Sequence, residues 1–362
     1  MRVLLLSRAR MPGANIRLLG SIGVGLVDRG ASVGFAARAF PDVVNQLVAE
    51  NDAASVLALE GNNWLTMWLS TRRLMKSFAP DAVIVETEAD AFLAATTAQR
   101  GTGIVRRLRP QEDALYGWKS RVAARFNRTA LLVPSTGDEL ALPRTVLTVR
   151  APVSLPMRSL QALQLKGENV DAPPVIACVP DRSGAAAALC LRAFARLRQR
   201  RPELTLLLLG DPGRLQSVRI HAAALGLTEY IRTLPESALF ERQRLDLAVV
   251  WIAARGDRGA LSAVAAMSRG LPVVVERSSD VSAFVAHRIT GLHAEEGDLS
   301  ATIAAMAQLL ADPSAFRSTC EAAIARSQRL HSWSGFLDRV VEAIELTRSA
   351  PRSRSTGAVV PA

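Results

Sequence analysis

Arg255-Gly-Asp-Arg-Gly-Ala-Leu-Ser-Ala-Val-Ala-Ala-Met-Ser-Arg-Gly-Leu-Pro-Val-Val-Val275 decides how this chain folds. A glycine-rich turn leads into a short helix of small residues, and a run of valines follows. Gly270 stands where a helix C-cap belongs, with Pro272 just beyond it. The valines read as a buried strand. A helix that starts from a glycine turn also offers backbone N–H groups to an anion. This stretch is one helix–strand step of a parallel α/β sheet.

The same alternation extends in both directions. Apolar runs of strand length are expected at 2–7, 31–37, 55–59, 81–86, 103–108 and 130–134. Between them lie helical patterns at 15–29, 41–50, 62–78, 89–99 and 111–127. From 146 to 172 the pattern weakens into a Pro- and Gly-containing stretch, and it restarts at 174. Short strands alternating with longer helices mean βα units around parallel sheets. The expected division is a first Rossmann-like domain over 1–155, a linker over 156–172 and a second Rossmann-like domain over 173–330. A last helix over 331–350 packs back, and the tail 351–362 is disordered. Periplasmic-type binding proteins and some epimerases share that outline, so topology alone does not select a function.

Composition narrows the classes. The chain has 362 residues, long for one domain and comfortable for two. It is 49% hydrophobic but only 5% aromatic, so its cores must be built from Ala, Val and Leu. A net charge of +11, carried almost wholly by arginine, favours an anionic partner. Cys178, Cys190 and Cys320 have no metal-ligand spacing and read as small buried hydrophobes in a reducing compartment. The histidines, His221, His287, His293 and His331, are scattered, so no zinc site and no other metal is expected. The N-terminal apolar run is too short for a signal peptide, and no segment approaches the ~20 apolar residues of a membrane span. A cytoplasmic protein is expected, with a peripheral place on the inner membrane face as an extension.

Ala266-Met-Ser-Arg-Gly-Leu-Pro-Val-Val resembles the Glu-Ala-Met-Ala-x-Gly-x-Pro-Val-Val signature of GT-B-fold glycosyltransferases of the large retaining family 4 (glycosyl transferases group 1). Other segments fall in the family's order. They are Arg201-Pro-Glu-Leu-Thr-Leu-Leu-Leu-Leu-Gly, Leu225-Gly-Leu, Leu245-Asp-Leu-Ala-Val-Val, Thr290-Gly-Leu-His, Leu310-Ala-Asp-Pro and Ser332-Trp333. The resemblance covers 175–346 and implies two Rossmann-like domains facing a central cleft. It implies sugar transfer (hexosyltransferase type) from a nucleotide-sugar donor to a lipid-linked or polysaccharide acceptor in envelope or exopolysaccharide synthesis. No cofactor is implied.

The donor positions depart from the family. Its paired glutamates map to Asp257 and Ala265, its Gly-Arg to Val179-Pro180 and its lysine to Ala185. The donor side is then expected at Arg182, Ser183 and Gly184 after the first strand, and at Arg255, Gly256, Arg258 and Gly259 around the opening turn. Asp257 is either a donor-facing catalytic carboxylate or part of a loop self-paired with its flanking arginines. Arg182 and Ser183 either bind phosphate or cap a helix. On the acceptor side stand Pro12, Gly13 and Asn15, with Arg107 and Arg109 where relatives carry a histidine. Asp113 could act as a base if the reaction inverts configuration. The stripped donor positions equally fit a catalytically inactive GT-B protein serving as scaffold or regulator of a partner glycosyltransferase.

Two basic helical stretches, 62–78 and 111–128, interleave aromatic residues with cations. Trp64, Met67, Trp68 and Met75 accompany Arg72, Arg73 and Lys76 in the first; Tyr116, Trp118 and Phe126 lie in the second. They suit an anionic membrane surface, or their apolar faces are core. No nucleic-acid-binding motif accompanies them.

Overall fold

The computed structural model describes residues 1–9, 14–38, 40–50, 55–61, 63–108, 117–135, 147–154, 174–181, 184–210, 216–239, 247–277, 279–295 and 297–349. The 156–172 linker, the 351–362 tail and the whole of 109–116, including the expected start of a helix at 111, lie outside them. Two parallel sheets organise the chain. The first contains β1 (Arg2–Ser7), β2 (Ser32–Arg38), β3 (Ser55–Leu59), β4 (Ala82–Val85), β5 (Gly103–Arg107), β6 (Thr129–Pro134) and β7 (Leu147–Ala151), in the spatial order 3-2-1-4-5-6-7. The second contains β8 (Val175–Val179), β9 (Thr205–Leu209), β10 (Ile231–Leu234), β11 (Leu247–Ile252), β12 (Val273–Glu276) and β13 (Gly291–Ala294), in the order 10-9-8-11-12-13. Each order is doubly wound, reversing beside its first strand, and at such a reversal the carboxyl ends of the strands leave a crevice for a ligand.

The helices α1 (Ala14–Val27), α2 (Pro41–Glu50), α3 (Trp64–Phe78), α4 (Glu88–Thr97) and α5 (Trp118–Phe126) flank the first sheet. The second carries α6 (Gly184–Arg200), α7 (Gln216–Ala224), α8 (Gly256–Ser268), α9 (Leu299–Ala311) and α10 (Pro313–Leu330). The last helix, α11 (Trp333–Ser349), returns to the first sheet and lies on β5, β6 and β7. Its Phe336, Leu337, Val340, Ala343 and Ile344 are buried there at i, i+3 and i+4 spacing. The central strands β1, β4 and β8 are buried almost throughout, which is why their sequences are unbroken apolar runs.

The stretch 147–151, where the alternation weakens in the sequence, is the seventh strand, paired in parallel with β6. Its run Leu-Thr-Val-Arg-Ala alternates burial because one neighbour and one covering helix suffice for an edge strand, so its polar residues masked it. The histidines are also less scattered in space than in sequence: the His287 and His293 rings are 5.1 Å apart, with His287 Nδ1 accepting the His293 backbone N–H. Among the described residues no cluster of three or more potential metal ligands forms. Cys178 on β8 and Cys190 on α6 bring their sulfurs to 3.1 Å, both fully buried.

The chain passes from the first sheet toward the second after β7 and back again between α10 and α11. These two crossings touch. His331 donates from Nδ1 to the Val153 carbonyl at 2.7 Å, its own carbonyl accepts the Ser154 hydroxyl, and its ring stacks on Phe284. Nε2 of this buried ring has no hydrogen-bond partner, so a proton added there would place an unpaired charge in the hinge. Burial outweighs the Val153 hydrogen bond and lowers the His331 pKa from 6.5 to about 4. Between those values the unfolded chain binds the proton and the folded chain does not. The stabilisation is therefore complete above pH 6.5 and is lost as pH falls toward 4, by about 3 kcal/mol from this group. Urea unfolding at pH 7.5 and at pH 4.5 should show His331→Asn losing measurably less stability on acidification than the wild type.

Candidate active-site cleft

The chain's chemistry converges at the carboxyl ends of β1, β4 and β5, where they face the start of α8. In the opening stretch, α8 begins at Gly256, whose φ of +66° suits only glycine without strain, and stops at Gly270 with φ +72°. Nearly every residue of α8 is buried, because the helix is enclosed by its own sheet, α1, α10 and the 3-10 turn at Asp280–Phe284. Only small side chains allow so many neighbours to approach one helix. Gly259 shows this most sharply: a Cβ there would lie 2.2 Å from the Ala254 carbonyl oxygen and 2.6 Å from Val281. Expected as a donor-side group, Gly259 is a packing residue. Ala265, at the family's glutamate position, is fully exposed to apolar core and to no solvent.

The expected carboxylate, Asp257, lies in the first turn of α8 and is 3% exposed. Its partner is neither Arg255 nor Arg258 but Arg107, from the other half of the chain. Arg107 Nη1 donates to Asp257 Oδ1 at 2.8 Å and Nη2 to Oδ2 at 2.9 Å, a two-pronged fork. Arg107 also donates from Nη2 to Glu86 Oε1 at 2.7 Å, from Nε to the same oxygen at 3.2 Å, and from Nη2 to Asn15 Oδ1 at 3.1 Å. Burial alone lowers the Arg107 pKa, but the Asp257 and Glu86 carboxylates outweigh it and raise it, so the guanidinium stays charged throughout the working pH range. Asn15 and Arg107, both expected on the acceptor side, thus meet Asp257 at one point. Glu86 was not singled out in the sequence; its place directly after a buried strand, at a sheet crevice, was the available signal.

The remaining cations around α8 are engaged as well. Arg258 Nε donates to Glu236 Oε2 at 2.6 Å and Nη1 to the Pro180 carbonyl at 2.7 Å, while the Ser262 hydroxyl donates to Glu236 Oε1 at 3.0 Å. This ties the ends of β8 and β10 to α8. Arg255 is about half exposed and pairs with Glu276 at 3.2 Å. The backbone N–H of Gly256, expected to face an anion, donates to Asp280 Oδ2 at 2.9 Å. Gly184 opens α6 directly after the β8 loop. Pro12, Gly13, Arg109, Asp113, Arg182 and Ser183 lie outside the described residues.

The basic helices divide their apolar residues between core and surface. In α3, Met67, Leu74 and Met75 are buried, whereas Trp64 (42%), Leu65 (64%) and Leu69 (42%) remain exposed. Trp64 stands 5.7 Å from Phe92 of α4, and Phe92 stands 5.6 Å from Trp118 of α5, so the aromatic residues form one row across three helices. Arg8 and Lys119 lie over the Trp64 and Trp118 rings, and Arg72 over Trp68. No helix is long and apolar enough to cross a membrane among the described residues.

Comparison with known proteins agrees with this architecture. Residues 173–329 match the family model of glycosyl transferases group 1. Comparison with curated protein sequences finds no match. Among solved structures, a glycosyltransferase from Rickettsia africae superposes with a TM-score of 0.74 at 13% identity, covering 97% of this chain and 99% of its own. Anabaena Alr3699/HepE, solved with UDP and glucose, gives 0.72 at 17% identity, covering 96% and 100%. Sucrose-phosphate synthase from Thermosynechococcus elongatus gives 0.71 at 15% identity, covering 95% and 98%.

Two substitutions test the cleft's construction by urea or thermal unfolding. Arg107→Met strands two buried carboxylates and should cost about 3–5 kcal/mol, part of which Asp257→Asn in the same chain restores. Gly259→Ala should cost about 2 kcal/mol or more through overpacking against the Ala254 carbonyl, although alanine is the better helix former. The chain thus has the two-sheet fold of the GT-B glycosyltransferases, and its residues 173–329 match the model of glycosyl transferases group 1.

Proposed function

We propose that the protein transfers a sugar from a nucleotide-sugar donor to a lipid-linked or polysaccharide acceptor. The observation that carries this reading is the group 1 match over the half of the chain that builds one wall of the cleft. The solved HepE structures hold UDP, UDP with glucose, or UDP-glucose, and that protein shares this chain's fold. In such a reaction the bond from the anomeric carbon to the diphosphate breaks as an acceptor hydroxyl attacks. Negative charge grows on the leaving phosphate, and fixed cations and amides must face it. Arg255, half exposed beside the α8 turn, with Arg182, Ser183 and Gly184, which follow β8 in sequence, are the groups assigned to that task. Arg258 holds the β8 end in place through the Pro180 carbonyl. Charge balance by arginine makes a metal unnecessary.

A second reading is a catalytically inactive GT-B protein that partners an active transferase. One observation favours it: the carboxylate at 257 is committed to Arg107, and position 265 carries none. Calorimetric titration with UDP, GDP and their sugars separates the two. Saturable binding that weakens at least tenfold in Arg255→Ala supports transfer, whereas no binding by any of these nucleotides leaves the scaffold reading.

The acceptor is assigned to a membrane. Exposed Trp64 and Trp118, joined through the half-buried Phe92, and exposed Leu65, Leu69 and Phe126 share their helices with Arg72, Arg73, Lys76, Arg121 and Arg125, a combination that suits anionic lipid. Flotation with vesicles of phosphatidylglycerol and phosphatidylcholine should recover the protein, with recovery falling in pure phosphatidylcholine and in Trp64→Ser/Trp118→Ser. Equal recovery from both lipid mixtures would count against an anionic membrane surface.

A further inference from the structure

We propose that the Arg107–Asp257 fork is a lock on the cleft: it holds the two halves of the chain closed over α8, and a ligand enters only when Asp257 lets go. The inference rests on the donor-cleft reading for what enters, and on geometry alone for the lock itself. Four polar side chains make the cluster. Three of them, Asn15, Glu86 and Arg107, belong to the first sheet and its helices; only Asp257 belongs to the second. Every bond from Asp257 to Arg107 therefore spans the cleft, while the bonds from Arg107 to Glu86 and Asn15 do not.

A cavity of about 20 Å³, bordered by Leu18, Arg107, Leu132, Val153, Leu261 and Phe336, lies between the halves and has room for about one water. The directional contact at this point is the fork. Its charges also favour a switch. One guanidinium serves both carboxylates. When Asp257 withdraws, Arg107 keeps Glu86 as a balanced partner and Asp257 moves toward solvent. Opening thus leaves no unpaired buried charge, unlike the breaking of a simple buried ion pair. A second place where the crossings meet, at His331 and Val153, supplies a fixed point about which the halves can turn.

This arrangement also explains the carboxylate at 257 without giving it a ligand. As a lock, it must be buried, must reach a guanidinium in both prongs, and must be short enough to stay within the first turn of α8. All three hold.

The test exploits the asymmetry of the cluster. Asp257→Asn and Glu86→Gln each remove one carboxylate charge from Arg107 and leave it one, but only the first cuts the cleft-spanning pair. In full-length protein without nucleotide, Asp257→Asn should raise the radius of gyration in small-angle X-ray scattering. It should speed amide exchange in 256–261 and 104–108 by roughly tenfold or more. Glu86→Gln should leave both at wild-type values. Arg107→Lys, which keeps the charge but loses the fork, should open the cleft as Asp257→Asn does and guards against poor folding of that variant. Opening in both carboxylate variants, or in neither, overturns the lock. Adding UDP to the same samples separates this result from the donor reading. If UDP binds, Asp257→Asn should bind it several-fold more tightly, because the closed state no longer competes. If no variant binds UDP, or GDP added in its place, the transferase reading falls while the conformational result still decides the lock.

Discussion

The structure depends on one guanidinium shared between two carboxylates. Arg107 ends a central strand of the first sheet, Glu86 ends the neighbouring strand, and Asp257 opens the helix that the second sheet presents to them. A buried arginine is tolerated only when its donors are met with good geometry, and here Asp257, Glu86 and Asn15 receive them. Asp257 is held out of water only while the halves stay together, and its fork to Arg107 offsets that desolvation. The interface is therefore more demanding of orientation than an apolar contact of the same size, since sliding by an ångström would break both prongs.

The same economy of charge governs the rest of the cleft. Arg258 joins Glu236 and the Pro180 carbonyl, Arg255 joins Glu276, and Asp280 takes the N–H at the head of α8. The described polar groups at the head of α8 are thus paired within the chain. Small residues do the complementary task. Because α8 is enclosed on nearly all sides, Gly259 and the alanines around it, Ala265 inside the apolar cluster included, are dictated by space.

Much of the fold was legible because its central strands are nearly unbroken apolar runs. The strands expected at 2–7 and 81–86 are such runs, with no competing helix pattern, and both occur within a residue of the expected bounds. The edge strand Leu147–Ala151 was missed for the converse reason: covered on one face only, it carries threonine and arginine and blends into the loop that follows. The two basic helices were legible as amphipathic, yet which apolar residues face the core could not be read from spacing alone. Met67 and Met75 turned inward, and Trp64, Leu65 and Leu69 did not.

Local sequence determined the elements, their parallel order and the glycine-bounded helix at 256–268, because burial periodicity, caps and turn residues act over a few positions. It also marked Asp257, Asn15 and Arg107 as chemically notable. What it could not determine was that these three are one object. Asp257 has an arginine on each flank, and sequence proximity favours those as partners; the folded chain gives it one that lies 150 residues away. Electrostatic partnership depends on distance through space and on the exclusion of water, and both are set only when the sheets close on each other.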